Sequence, residues 1–322
     1  LRLVISTDTI AEFRVNSTLY SAESGSGAGG QVNLVSKSGS NDFHGSVFEF
    51  FRNDYMDARN PFDTSKQPFR LNQFGGNMGG PILKNRTFFF ANYEGLRQRV
   101  TQTLTADVPS AAFRARATPA TPRQLLDLYP VGTIRTTNAD VDRAQANRSQ
   151  AWNEDAFTVR IDHRFNDNNT FFARYNMDDG LIVAPRSVIE ADRQNDNFRP
   201  SNFVMQFQRV FSPTVVNEWK VGFNRSTLRR VTDGPASNSI AVAGFMTLNQ
   251  SNLLIENGTS FSLIDNLAIT RGRHTIKIGG EIRRAHVNVA DPAQDAISVT
   301  YASRPLFLEN RVDSAGVVTG ND

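Results

Sequence analysis

Cysteine is absent from the 322 residues, so the chain has no disulfide framework and no thiolate metal or redox centre. It also lacks any apolar run near the length of a membrane-spanning helix. It opens with neither Met nor a secretory leader, so we expect part of a longer polypeptide. The four histidines, His44, His163, His274 and His286, lie far apart and supply no metal-ligand spacing. No G-x-S-x-G elbow and no Walker loop occurs, so we expect neither an enzyme nor a cofactor. The formal G-x-G-x-x-G of Gly25 to Gly30 is followed by QVNLVSKSG, a strand pattern, so no helix N-terminus would face a pyrophosphate; it reads as a glycine turn. A formal net charge of +3 is too small to imply a nucleic-acid partner.

What the chain has in quantity is phenylalanine, 24 residues against two Trp and six Tyr. The stretch Asn41 to Gly95 sets the pattern. Phe43 to Phe51 and Thr87 to Glu94 are short aromatic runs bounded by Asn, Asp, Gly and Pro, and read as strands. Between them, Arg70 to Gly79 is too rich in glycine for a helix and suits a bent strand. Two-residue periodicity gives about ten strands in all, near 43–51, 69–79, 87–94, 156–165, 170–177, 202–211, 214–226, 260–271, 273–284 and 296–302. The connections alternate: long over 52–68, 95–155, 178–201 and 227–259, short over 80–86, 166–169, 212–213 and around Gly272. In an up-and-down antiparallel sheet, alternate connections lie at one end. Outer-membrane barrels show that asymmetry, with short periplasmic turns and long exterior loops. The long set is therefore expected outside, open to protease added to intact cells. A short helix is expected from Pro122 to Leu128, as a surface cap within the longest loop.

The faces of the strands agree with a polar barrel interior. Phe157, Val159, Ile161 and Phe165 share one face with His163, opposite Thr158, Arg160, Asp162 and Arg164. Trp219, Val221 and Phe223 oppose Glu218, Lys220 and Asn224, and Ile276, Ile278 and Ile282 oppose Lys277, Glu281 and Arg283. Two residues break the rule: Asp265 falls on an apolar face and Phe172 on a polar one. A soluble sandwich with one wet face gives the same alternation; the loop asymmetry and the aromatic residues near strand ends favour the membrane barrel.

The run IAEFRVNSTLYSAESGSGAGGQVNLVSKSGSNDFHGSVFEFFRND, followed by NQFGGNMGGPILKNRTFFFANYEGLRQ, resembles the plug-to-barrel junction of TonB-dependent outer-membrane receptors, and most closely their Oar-like branch. The resemblance is strongest over residues 8 to 110. It implies an all-β chain: residues 1–40 the end of a plug domain, and 41–322 the first part of a transmembrane β-barrel with long exterior loops. Plugged outer-membrane transporters have about 22 strands, so about ten make an open half-wall. Its free edges are expected at 43–51 and 296–302, with the first forty residues against its polar face. The resemblance further implies a bacterial outer-membrane location, an exterior ligand of unknown identity, and TonB as periplasmic partner. Arg160, Asp162, Arg164 and Arg174 are the candidate lumen-lining charges, with an interior salt-bridge network as their plainer role. Asp54, Asp57 and Asp63 lie in an exterior loop without the glycine-centred turn of a calcium site, and read as solvated. The competing readings are a structural or adhesive surface β-protein and, behind it, a barrel-type hydrolase.

Overall fold

The computed structural model describes residues 6–16, 31–59, 65–236, 238–291 and 297–317. The Gly25 to Gly30 turn and Asp63 lie outside them. A 3-10 turn at Thr7–Thr9 leads into the antiparallel pair β1 (Ile10–Asn16) and β2 (Gln31–Ser36). There follow β3 (His44–Asn53), β4 (Phe69–Leu83), β5 (Thr87–Pro109), β6 (Ile134–Arg135), β7 (Val141–Asn166), β8 (Asn169–Pro185), β9 (Arg193–Phe198), β10 (Ser201–Ser212), β11 (Val215–Asp233), β12 (Ser239–Val242), β13 (Asn252–Arg271) and β14 (His274–Ala290). One sheet holds most of them, in the order β14-β13-β11-β10-β8-β7-β5-β4-β3, every pairing antiparallel. It is open: β3 and β14 are its edges. The expected tenth strand belongs elsewhere, because β15 (Ile297–Tyr301) pairs in parallel with β12 in a separate small sheet completed by β16 (Ser314–Val317).

One end of the sheet is all tight turns. β7 passes to β8 through Asp167 and Asn168, β10 to β11 through Pro213 and Thr214, and β13 to β14 through Gly272 and Arg273. Gly272 has φ +60°, the left-handed conformation that glycine adopts without Cβ strain. The turn from β4 to β5 uses Asn85 at φ 62°, and the Asn41 side chain braces it by accepting from the Asn85 amide at 2.7 Å. Beside three of these turns the ladder slips a register, at Ile82, Phe165 and Phe211. A bulge re-aims its extra residue, and all three side chains are exposed. They form an apolar fringe at the turn end of the wall.

At the other end the strands run far beyond their expected limits. β5 has 23 residues and β7 has 26, so the predicted loop 95–155 is largely a two-stranded ribbon. One of its faces is polar and the other packs Leu104, Ala106, Val108, Ala144 and Ala146 into an apolar core, and cross-strand side-chain bonds support it: Thr103 donates to Asn147 at 3.0 Å, Gln102 to Gln150 at 3.2 Å, and Arg143 to Asp107 at 2.9 Å. β9 and β10 occupy one lane between β8 and β11, interrupted only at Arg199 and Pro200. Pro200 has no N–H to give the ladder, but its carbonyl accepts from Asp178 at 3.0 Å.

The connections at this end fold onto one another. α1 (Ala111–Ala115), α2 (Arg123–Leu128) and α3 (Arg304–Leu308) join the small sheet around a core that includes Val108, Phe113, Tyr129, Leu248, Tyr301 and Phe307. Phe113 packs edge-on to Phe245 at 5.1 Å, and Tyr301 to Phe307 at 5.0 Å. The Ser110 hydroxyl caps α1 by accepting from Phe113, and Arg114 reaches across to donate to the carbonyls of Leu126 and Tyr129. The expected surface helix is present over 123–128, but Leu126 is buried in this core instead of lying on a surface.

Candidate functional site

The two faces of the sheet differ in chemistry and in cover. The outer face carries Val47, Phe51, Met78, Val159, Ile161, Phe261, Leu263, Ile278 and Ile282, all exposed, with no layer of the described chain packed on them. Phe74, Tyr93, Arg97 and Asp155 close this apolar band on the side of the long ribbon: Tyr93 and Arg97 both bind the Asp155 carboxylate, at 2.6 and 2.7 Å. From Ala156 to the turn after Asn166 is the span of about 9–11 residues that crosses a bilayer as a tilted strand. Asp265, the exception on the apolar face, accepts from Asn217 at 2.5 Å.

The inner face is polar and arranged in three tiers. Nearest the tight turns, Arg160 and Arg174 stand directly opposite each other on β7 and β8. Like charges so placed repel, and Arg160 is neutralised by a two-oxygen grip on Asp162, at 2.9 Å from Nε and 2.7 Å from Nη2. Its guanidinium also lies over Phe172, 4.4 Å from the ring centroid, which gives that misplaced aromatic a partner. Arg174 donates to Asn202 at 3.4 Å. Arg164 does not join this group; it sits at the hairpin end and pairs with Asp167 at 2.7 Å.

Above the arginines a belt of small polar side chains crosses the wall at one level: Ser46, Asn77, Asn92, Thr158, Asn176, Asn202, Asn224 and Ser260 are successive cross-strand neighbours from β3 to β13. Asn77 donates to Ser46 at 2.6 Å, Thr158 to Asn176 at 2.8 Å, Asn176 to Asn202 at 3.3 Å and Asn202 to Asn224 at 2.5 Å. Asn92, Thr158 and Asn176 are buried; the belt satisfies Thr158 and Asn176, and Asn92 donates to the Gly76 carbonyl at 3.4 Å. Above the belt, towards the ribbons, come Gln73, Glu94, Gln98, Trp152 and Glu154. Sequence reasoning placed Thr158 and Asn224 on the polar face but missed the belt that joins them and the tier above it, because neighbourhood across strands depends on register and Trp152 stood in an assumed loop.

The N-terminal segment lies against this inner face. Arg160 Nη1 donates to both the carbonyl and the hydroxyl of Ser36, each at 2.9 Å, so the same guanidinium grips Asp162 and β2. Lys37 donates to the Thr9 carbonyl, and at Gly39 the chain crosses so close that a Cβ would stand 2.3 Å from the Phe89 carbonyl oxygen. Ser6 and Thr9 are buried there. Among the described residues no group of three or more metal-binding side chains occurs; Asp57 pairs with Arg52, and Asp54 accepts from the Phe69 amide.

A family model described as outer membrane beta barrel domain matches residues 35–133 and 115–307. The TonB-dependent transporter Oar of Myxococcus xanthus is 34% identical over 112 residues, 32% of this chain and 11% of Oar. The ferric-catecholate import receptor Fiu of E. coli K12 aligns in its open and closed forms with TM-scores of 0.40 and 0.41, at 13% and 12% identity. Those alignments cover 83% of this chain and 48% and 44% of the receptor. The chain thus spans a small part of Oar and about half of Fiu.

Proposed function

This chain belongs to the outer-membrane β-barrel family, and from that premise we propose that it is part of a TonB-dependent receptor that takes up a scarce nutrient. It resides in the bacterial outer membrane, its apolar outer face against lipid. Residues 1–40 are the end of the plug and 41–322 the first part of the wall. The ligand enters from the cap side and is held between the N-terminal segment and the inner face. Arg160, Asp162, Arg164 and Arg174 line the lumen, and no covalent chemistry is involved. The observation that carries this reading is the double hydrogen bond from Arg160 to Ser36, which fastens a separate sheet to the polar face of an otherwise open wall. The similarity to Oar supports TonB as the partner. Uptake of labelled solutes should be compared in cells with and without the receptor gene, each with and without TonB. A solute accumulated only when both are present supports the proposal; accumulation indifferent to TonB removes it.

A structural or adhesive surface protein is the second reading. It is favoured by the cap, whose shared core makes it a folded exterior body. Cells whose receptor lacks the cap would then lose attachment while retaining uptake.

A further inference from the structure

Between the 3-10 turn of the N-terminal segment and the inner wall lies a cavity of about 370 Å³, lined among others by Ser6, Thr7, Gln73, Glu94, Gln98, Trp152 and Glu154. Its volume falls in the range of small-molecule sites, about 300–1,000 Å³. A larger hollow of about 560 Å³ lies beside the edge strand β14 at the turn end, on the far side of the polar belt from the cap. The smaller cavity sits on the cap side of the belt, where a solute from outside would arrive first. Hydrogen bonds within the lining hold its side chains: the Trp152 indole donates to Glu154 at 2.7 Å and Gln73 donates to Glu94 at 2.5 Å. Glu154 is only 4% exposed.

We infer that this cavity binds a neutral polyhydroxylated ligand of the oligosaccharide class, an assignment that rests on the receptor reading and specifies its substrate. Three features select that chemistry. The amides of Gln73 and Gln98 and the hydroxyls of Ser6 and Thr7 both donate and accept, as sugar hydroxyls require. An indole supplies a large, rigid apolar surface with one polar edge, suited to a ligand whose C–H faces alternate with hydroxyls. The two carboxylates accept hydroxyl donors and repel anions, so an anionic metal chelate is disfavoured. Below the cavity, the belt of Asn, Thr and Ser continues across the wall with uncharged donors and acceptors.

The intact receptor containing this chain, purified in detergent, is titrated calorimetrically with maltoheptaose, cellohexaose, choline and a ferric tris-catecholate. At least one of the two oligosaccharides binds, and Trp152→Ala weakens it by tenfold or more. Trp152→Phe, which keeps an aromatic surface, loses less, and Trp219→Phe on the outer face loses nothing. Should Trp152→Ala fail the heat-modifiability check for a folded barrel, Gln98→Ala with Trp152→Phe replaces it, and their combined loss must reach the same tenfold. Binding of choline or the catecholate but of neither oligosaccharide overturns the assignment, as does the absence of any binding or an unchanged affinity in the Trp152 variants. TonB-dependent uptake that survives such a result overturns only the ligand class. Uptake of every solute independent of TonB removes the receptor reading beneath it.

Discussion

At the scale of single residues, the sign of the cost depends on which face a side chain occupies. Val159 and Ile278 lie within the apolar band, so an arginine at either should destabilise the protein by roughly 2–4 kcal/mol in a bilayer. Urea titration after folding into lipid vesicles measures this. Equal sensitivity to changes at Lys220, on the inner face, would reverse the assignment of faces. Arg160→Ala tests a different bond: it removes both donors to Ser36, so amide exchange over 31–36 should quicken while exchange in β7 and β8 holds. In the cap, burial pushes the Tyr129 phenol well above its ordinary value, with Tyr301 adding to the shift. Its folded-state pKa is raised, so its contribution is complete below the unfolded value of about 10 and is lost as pH rises past it. Proteolytic susceptibility of the cap should therefore climb above about pH 10, and Tyr129→Phe should flatten that rise.

At the scale of elements, the strands that cross the apolar band were legible and their continuations were not. Alternation marked 156–165 because Phe157, Val159 and Ile161 must meet an apolar phase while Arg160 and Asp162 must not. Beyond Asp155 that requirement lapses, and Asn147, Ser149 and Gln150 pair by side chain with Thr103, Thr101 and Gln102, contacts that leave no period in the sequence. The cap was hidden for a related reason. Phe113, Leu248 and Phe307 come from three connections, each too short to show an apolar stripe, and their common core exists only once the wall aligns them. The expected protease sensitivity of the long connections changes accordingly. Trypsin or proteinase K added to intact cells should cut 110–140 and 238–251 slowly. Phe113→Ala, which empties a fully buried site at a cost of about 3–5 kcal/mol, should open both to cleavage together. Cleavage of one without the other would show that the two connections do not share a core.

At the scale of the whole molecule, an open sheet with bare edges at β3 and β14 and an apolar outer face has two routes to self-association, strand pairing and burial. The chain expressed alone should be polydisperse in water and dispersed by detergent, as sedimentation velocity would show; a soluble monomer that unfolds cooperatively without detergent would return the soluble β-protein reading. The open wall was legible from strand arithmetic, but its second edge was misplaced, because 297–301 has the composition of a wall strand and nothing local says that its partner is β12. The length of the ribbon sets how far the protein projects. At about 3.4 Å per residue the 26 residues of β7 make roughly 88 Å of strand, and a tilt of about 40° leaves a rise of roughly 65 Å. An apolar band of about 25 Å accounts for less than half of it. The cap is carried roughly 40 Å clear of the lipid, as on a mast. In the proposed topology, with the cap outside the cell, an approaching particle, whether a virus or an antibody, meets that mast-head long before it meets the membrane, and variation in its surface can change what the cell is recognised by without altering a residue that faces the lumen.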